Sequence, residues 1–225
     1  MAFDLPTCRQ HFLLHANPAN APAMEKYMRH QFKFLGIKQP QRKALLKALI
    51  QAQGLPQPSE LAAALGQLWD WPEREFQYVG CDLLERSTLS PDLWPTLERL
   101  ITTRAWWDTV DPLAIHTVGR LNRQYPSEAE NYLQRWQASE NLWLRRTTIL
   151  FQLSYKTDTN TDLLLKIIRE NSQSTEFFIK KAMGWALREY SKTDAIVVTQ
   201  WVETYDLPAL TRREAMKWLN THSRK

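Results

Sequence analysis

Two indoles and two carboxylates fall within six consecutive residues, Trp106-Trp107-Asp108-Thr109-Val110-Asp111. Tryptophan beside aspartate makes a poor core. It makes a good grip for a cationic ligand, because the indole face attracts positive charge and the carboxylate balances it. If the run is helical, Trp107 and Asp111 stand at i and i+4 on one face. A carboxylate near a helix start is also favoured in its ionised form by the helix dipole. Further along, Arg146 offers a planar cation and Trp185 another indole. Each of these residues also has an ordinary use. Asp111 precedes Pro112 and would serve as an N-cap, and Asp108 reads as a cap. Trp106 and Trp143 read as packing, and Trp185 follows Gly184 on an apolar stripe with Met183 and Leu187.

The elements that must position these side chains are helices. Little of the sequence alternates with period 2, and most has the i, i+3, i+4, i+7 spacing of amphipathic helices. Leu45, Leu46, Leu49 and Ile50 mark one apolar face. Leu61, Ala64, Leu65 and Leu68 mark a second, and Phe76, Val79, Leu83 and Leu84 a third. Starts are signalled at Pro40, Ser59, Pro72, Ser90-Pro91, Ser127, Thr161, Thr175 and Thr211, residues that cap or open helices. Stops are expected at Gly36 and Gly54 and at the polar joints near Tyr125 and Tyr205. The expected fold is all-α.

The helices look paired and repeated. Trp107 recurs as Trp143, and the pairs Arg145-Arg146, Lys180-Lys181 and Arg212-Arg213 follow one another, all at steps of 32 to 36 residues. Two helices per such unit predict an α-solenoid of paired antiparallel helices curved around a concave surface. The repeated dibasic step would set cations along that surface at regular intervals. The plainer account is that these cations cover the solvent side of ordinary helices, which explains single residues better than a pair occurring three times.

Composition narrows the classes. The 225 residues are 44% hydrophobic and 24% charged, an ordinary globular balance, and we read residues 1–225 as one domain. Lysine and arginine number 29 against 24 acidic residues, giving +5 and a pI near 9.2. That modest excess, gathered on one surface, would suit a polyanion. No apolar run reaches transmembrane length, and the first residues lack the basic and apolar regions of a signal peptide. Cys8 and Cys81 have no metal-ligand spacing and lie in apolar helical patterns, so two buried thiols in a reducing cytoplasm are expected. His11 and His15 are spaced i,i+4 without a third ligand nearby, so no metal site is expected.

At these residues the chain resembles the AlkD family of alkylpurine DNA glycosylases, which are built of HEAT-like repeats. The resemblance runs collinearly from about Phe12 to Trp218. It is carried by residues 27–36 (YMRHQFKFLG), 68–76 (LWDWPEREF), 106–111 (WWDTVD), 143–153 (WLRRTTILFQL) and 177–190 (FFIKKAMGWALREY). It implies removal of N3- and N7-alkylated purines from double-stranded DNA without metal or cofactor. It further implies a monomer in the cytoplasm, on the nucleoid when bound to DNA. Residue by residue, it places the catalytic aspartate at Asp111, the lesion-site tryptophans at Trp107 and Trp185, and the active-site arginine at Arg146. Arg145 departs from the pattern by adding a cation. Pro112 also matters, because proline sits poorly inside a helix, which puts Asp111 in the first turn of one.

The implied chemistry suits these residue types. An N3- or N7-alkylated purine is cationic on the sugar and leaves as a neutral base, so the leaving group needs no general acid. One ionised carboxylate can stabilise the positive charge developing at C1′ and orient the attacking water. The indoles of Trp107 and Trp185 would attract the cation. Arg146 would hold phosphate with its fork. Arg145, Lys180, Lys181, Arg212 and Arg213 would serve the DNA backbone. The resemblance also implies that the lesion is met from the backbone side without a base pocket, a mode that tolerates bulky adducts. The competing class is a non-catalytic solenoid that docks nucleic acid or an acidic protein. Such a scaffold has no use for the set Trp107, Asp111 and Trp185.

Overall fold

The expected apolar stripes do fold as helices. A computed structural model describes residues 3–222, in two compact units, Met1–Arg104 and Ala105–Lys225. In the first, α1 (Leu5–Leu14) begins at Asp4, whose carboxylate accepts the Thr7 N–H, an N-cap of the usual kind. It is followed by α2 (Ala21–Tyr27) and α3 (Gln39–Gln53), which ends at Gly54 with φ of 82°. That is a left-handed backbone that a side chain disfavours. A capping box between Gln57 and Glu60 opens α4 (Pro58–Asp70), and α5 (Arg74–Arg86) and α6 (Trp94–Thr102) complete the unit.

The stripes read from sequence line this core. Leu46, Leu61, Leu65, Leu68, Phe76, Val79, Leu83 and Leu84 are buried, together with Cys8, Phe12, Trp69 and Trp94. Charge is buried here too. Glu75 accepts the backbone N–H groups of Leu35, Gly36 and Ile37 at 2.9–3.1 Å, and Arg42 on α3 pairs with Asp82 on α5. Buried carboxylates need such partners, because an unpaired charge in low dielectric is strongly destabilising. Cys8 is buried as expected, and burial pushes its thiol up to about 12. Cys81 is only half-buried, so the expectation of two buried thiols holds for one.

The second unit opens with α7 (Trp107–Pro112), which runs directly into a π-helical turn (Leu113–Val118) and then α8 (Gly119–Gln124). After it come α9 (Pro126–Gln137), α10 (Leu142–Leu150), α11 (Thr161–Glu170), α12 (Phe177–Tyr190), α13 (Ala195–Thr204) and α14 (Ala209–His222). Side chains of Asn141, Asn160 and Asp194 cap α10, α11 and α13. One helix of each pair forms a row: α7 packs on α10, α10 on α12, and α12 on α14. The helices α9, α11 and α13 pack behind that row. This is the stacked, paired arrangement of an all-α solenoid. Gly184 makes the closest step of the row possible, since a Cβ there would lie 2.5 Å from Glu214 Cβ and 2.8 Å from the Thr211 carbonyl oxygen.

Among the described residues no helix is long and apolar enough to cross a membrane. No group of three or more His, Cys, Asp or Glu is gathered as metal ligands among them either.

Candidate functional site

Asp111 lies on the fifth residue of α7, not in the first turn of a helix as Pro112 led us to expect. Pro112 is inside the helix, and the π-helical turn begins directly after it. Proline supplies no N–H and its ring crowds the carbonyl four residues back, so the α-helical ladder is already interrupted there. A wider turn follows at no further loss, and single π turns of this kind recur at functional sites. Because α7 starts at Trp107, the i,i+4 relation between Trp107 and Asp111 is kept, with the half-buried Trp107 one turn before the carboxylate. The N-cap is Trp106, and Asp108 lies within the first turn rather than at the cap.

The Asp111 side chain is held by a fork. Arg146 Nε donates to Oδ1 at 2.7 Å and Nη2 donates to Oδ2 at 2.8 Å, while Nη1 donates to the Phe178 carbonyl. Asp111 is 8% exposed and Arg146 4%. The guanidinium expected to hold phosphate is therefore tied inside the protein by three of its five N–H groups, joining α7 to α10 and α10 to α12. Burial pushes the Asp111 carboxyl above the ordinary carboxylate range. The hydrogen bonds and charge of Arg146 oppose that shift, and the charge of Asp108 adds to it.

Asp111 opens onto a cleft of about 510 Å³ that Trp185 also lines. The structure thus brings Asp111, Arg146 and Trp185 together across α7, α10 and α12. Trp106 and Trp143 pack with Phe178 in a cluster whose ring centroids are 5.0–5.8 Å apart, as their reading as packing requires. The cleft also includes His116, Ser154, Lys156 and Glu189, none of which stood out in the sequence. His116 is on the π-helical turn, five residues after Asp111, a spacing that one turn of a π-helix puts in register. Pro112 was the one sequence signal for that irregularity. Lys156 lies in the joint before α11, where no pattern pointed to it.

The dibasic pairs do not form a simple ladder of free cations. Arg145 donates to the Ser139 carbonyl at 2.9 Å. Lys181 pairs with Glu214 at 2.9 Å, and Arg188 and Lys217 bind the same carboxylate. Arg212 donates to the carbonyls of Val202 and Tyr205 at 2.6 and 3.1 Å and closes the end of α13. Burial of Glu214 works against its charge, but Lys217 and Lys181 outweigh it and bring the carboxyl down to about 2. The repeat that we read as a phosphate track is thus largely a set of ties between neighbouring helices. Arg213 is exposed and Lys180 half-buried, and among the described residues neither side chain makes a hydrogen bond or ion pair with another.

Comparison with known proteins gives the family and agrees with the all-α fold. A family model described as DNA alkylation repair enzyme matches residues 8–219. A solved structure described as a predicted DNA alkylation repair enzyme from Enterococcus faecalis is 35% identical, with a TM-score of 0.82. The match covers 91% of this chain and 96% of that one. No curated protein matches.

Proposed function

The chain belongs to the DNA alkylation repair enzyme family, and on that premise we propose that it is a glycosylase for cationic N3- and N7-alkylated purines in duplex DNA. The observation that carries this reading is the Asp111 carboxylate, buried, oriented by a guanidinium fork and open to a cleft that Trp185 lines. The bond broken is that between C1′ and the purine nitrogen, whose electron pair leaves with the base. The base was cationic and departs neutral, so no proton donor is required. The sugar gains positive charge at C1′, and Asp111 stabilises it. A carboxylate has about four lone-pair positions and the Arg146 fork takes two, which leaves acceptor capacity for the sugar or for the water that adds to C1′. Trp185, with Trp107 one turn before Asp111, attracts the cationic nucleotide by about 0.5–2 kcal/mol each. The products are free base, an abasic site and a proton.

Arg146 acts in this reading as a positioning residue for Asp111, not as a phosphate ligand. The wide cleft leaves room for adducts larger than methyl as well. Selectivity then comes from the lesion's own charge. Purified protein should release 7-methylguanine and 3-methyladenine from methylated duplex DNA. Asp111→Asn should lower release at least about tenfold, since charge stabilisation at a developing cation is typically worth a few kcal/mol. Hypoxanthine, which would leave as an anion, should stay in place. Binding of methylated DNA without release of base by the wild type would instead support the non-catalytic module. Efficient release of hypoxanthine would show that the protein activates the leaving group itself.

A further inference from the structure

With Arg146 committed to Asp111, the cleft needs another cation to receive a strand. A phosphodiester brought beside Asp111 meets the repulsion of that carboxylate, and a nearby cation has to offset it. Lys156 lies in the lining of the cleft, is exposed, and among the described residues its ammonium makes no hydrogen bond or ion pair. The Glu189 carboxylate in the same lining is already paired with Lys192 at 2.6 Å.

The backbone at Lys156 is unusual. Its φ is 54°, in the left-handed region that a non-glycine residue enters at a cost. Such a conformation persists only where the surroundings dictate it, and here they do. Immediately before it, Tyr155 is buried, and its hydroxyl donates to the Gly119 carbonyl at 2.5 Å and accepts from Asn122 at 3.1 Å. Gly119 permits this approach, since a Cβ there would lie 3.3 Å from the Tyr155 ring and 2.4 Å from the Phe151 carbonyl oxygen. The Arg123 guanidinium lies 4.0 Å from the centre of the Tyr155 ring and reaches Asp158 at 3.2 Å, so it touches both flanks of Lys156. Gln152 and Asn160 close the joint from the other side, the Asn160 N–H donating to Gln152 Oε1 at 2.8 Å. Tyr155, Asp158 and Asn160 are thus tied down around Lys156, the residue of this joint with a positive φ, and it lines the cleft.

We propose that Lys156 is a phosphate-binding residue for the DNA strand whose sugar meets Asp111, held at the cleft by a left-handed backbone that its clamped neighbours impose. This rests on the reading of the cleft as the lesion site, and it adds a residue that neither the repeat nor the resemblance assigned. Lysine suits the role as a compact charge on a flexible stem.

The test separates a strained binding residue from a structural one. Glycine at this position removes both the strain and the cation. Lys156→Gly should therefore melt at the same temperature as wild type or higher, yet bind intact and methylated duplexes more weakly. Its slope of log affinity against log salt should be smaller by about one, the signature of one lost phosphate contact. Lys156→Arg keeps the charge and should keep the slope. A glycine variant with wild-type affinity and slope would overturn the proposal, and so would a glycine variant that melts lower. Wild-type protein that bound duplex DNA without salt dependence would remove the DNA reading and this inference together. Wild-type protein that released no base, with the glycine variant still losing one unit of slope, would remove only the glycosylase reading.

Discussion

At the scale of single residues, the ion pair between Asp111 and Arg146 sets the proposed chemistry and its limits. Because burial raises the carboxyl, the proton-free form on which the proposed catalysis depends is lost at a higher pH than for an ordinary aspartate. The acid limb of kcat/KM for 7-methylguanine release, which reports the free enzyme, should have its midpoint above 3.8. It should be flattened in Asp111→Asn. A wild-type profile with no limb above that value would count against Asp111 as the titrating group. Arg146→Lys tests the fork itself. Lysine keeps the charge but cannot hold both carboxylate oxygens and the Phe178 carbonyl in one plane. The variant should lose about 2–4 kcal/mol of stability, as expected when a buried charge pair is damaged. Release should fall further than duplex binding does, whereas an arginine that served phosphate would show the reverse. Chemical denaturation and binding titrations measure both.

At the scale of elements, two local devices place the site. The first is the π-helical turn after Pro112, which carries His116 into the cleft. Pro112→Ala restores an N–H and lets the α-helix continue with ordinary spacing. Stability should stay level or rise, because proline inside a helix costs about 3 kcal/mol, while base release should fall as the cleft loses its register. Equal release by this variant would separate the turn from function. The second device is Gly184, which lets α14 approach α12 closely enough for Lys181 and Arg188 to reach Glu214. Gly184→Ala places a methyl group 2.8 Å from the Thr211 carbonyl oxygen. It should destabilise the protein by about 1–3 kcal/mol through overpacking, read as a lower midpoint in urea. The neighbouring Trp185 should move with it, which its fluorescence can follow in a background lacking the other half-buried indoles.

At the scale of the whole molecule, charge acts through pH and salt. The Glu214 carboxyl is depressed from 4.5 to about 2. Its contribution to stability is complete above the ordinary carboxylate range and is lost as pH falls through about 2. Asp111 works in the opposite sense: its raised carboxyl gives a contribution present at low pH and lost as pH rises through the elevated value. Glu214→Gln should therefore remove part of the acid sensitivity between pH 4.5 and 2, as followed by urea unfolding across that window. For DNA, charge reversal at Arg213 is the clean probe, because Arg212 caps α13 and Lys181 holds Glu214. Arg213→Glu should weaken binding to intact and methylated duplex alike and leave the melting temperature unchanged. Affinity that ignored salt would remove this face from the DNA surface.

The sequence by itself determined the helices, their pairing, the apolar faces and the residue types at the site. Those follow from periodicity and capping, which are local and repeat along the chain. The period of 32 to 36 residues was legible for the same reason. What a cation does was not legible. Arg146, Lys181 and Arg212 look alike as members of dibasic pairs, yet each is tied to a neighbouring segment, to Asp111, to Glu214 and to the end of α13. Their partners are 35 and 33 residues away for the first two. Only packing of one repeat on the next decides whether such a partner is within reach. Pro112 marked an irregularity but not the π-helical turn that follows it, and the left-handed Lys156 has no local signature, because neighbouring segments impose it. The tertiary structure therefore decided which charges tie helices together and which line the cleft, since contact and distance are properties of the packed chain.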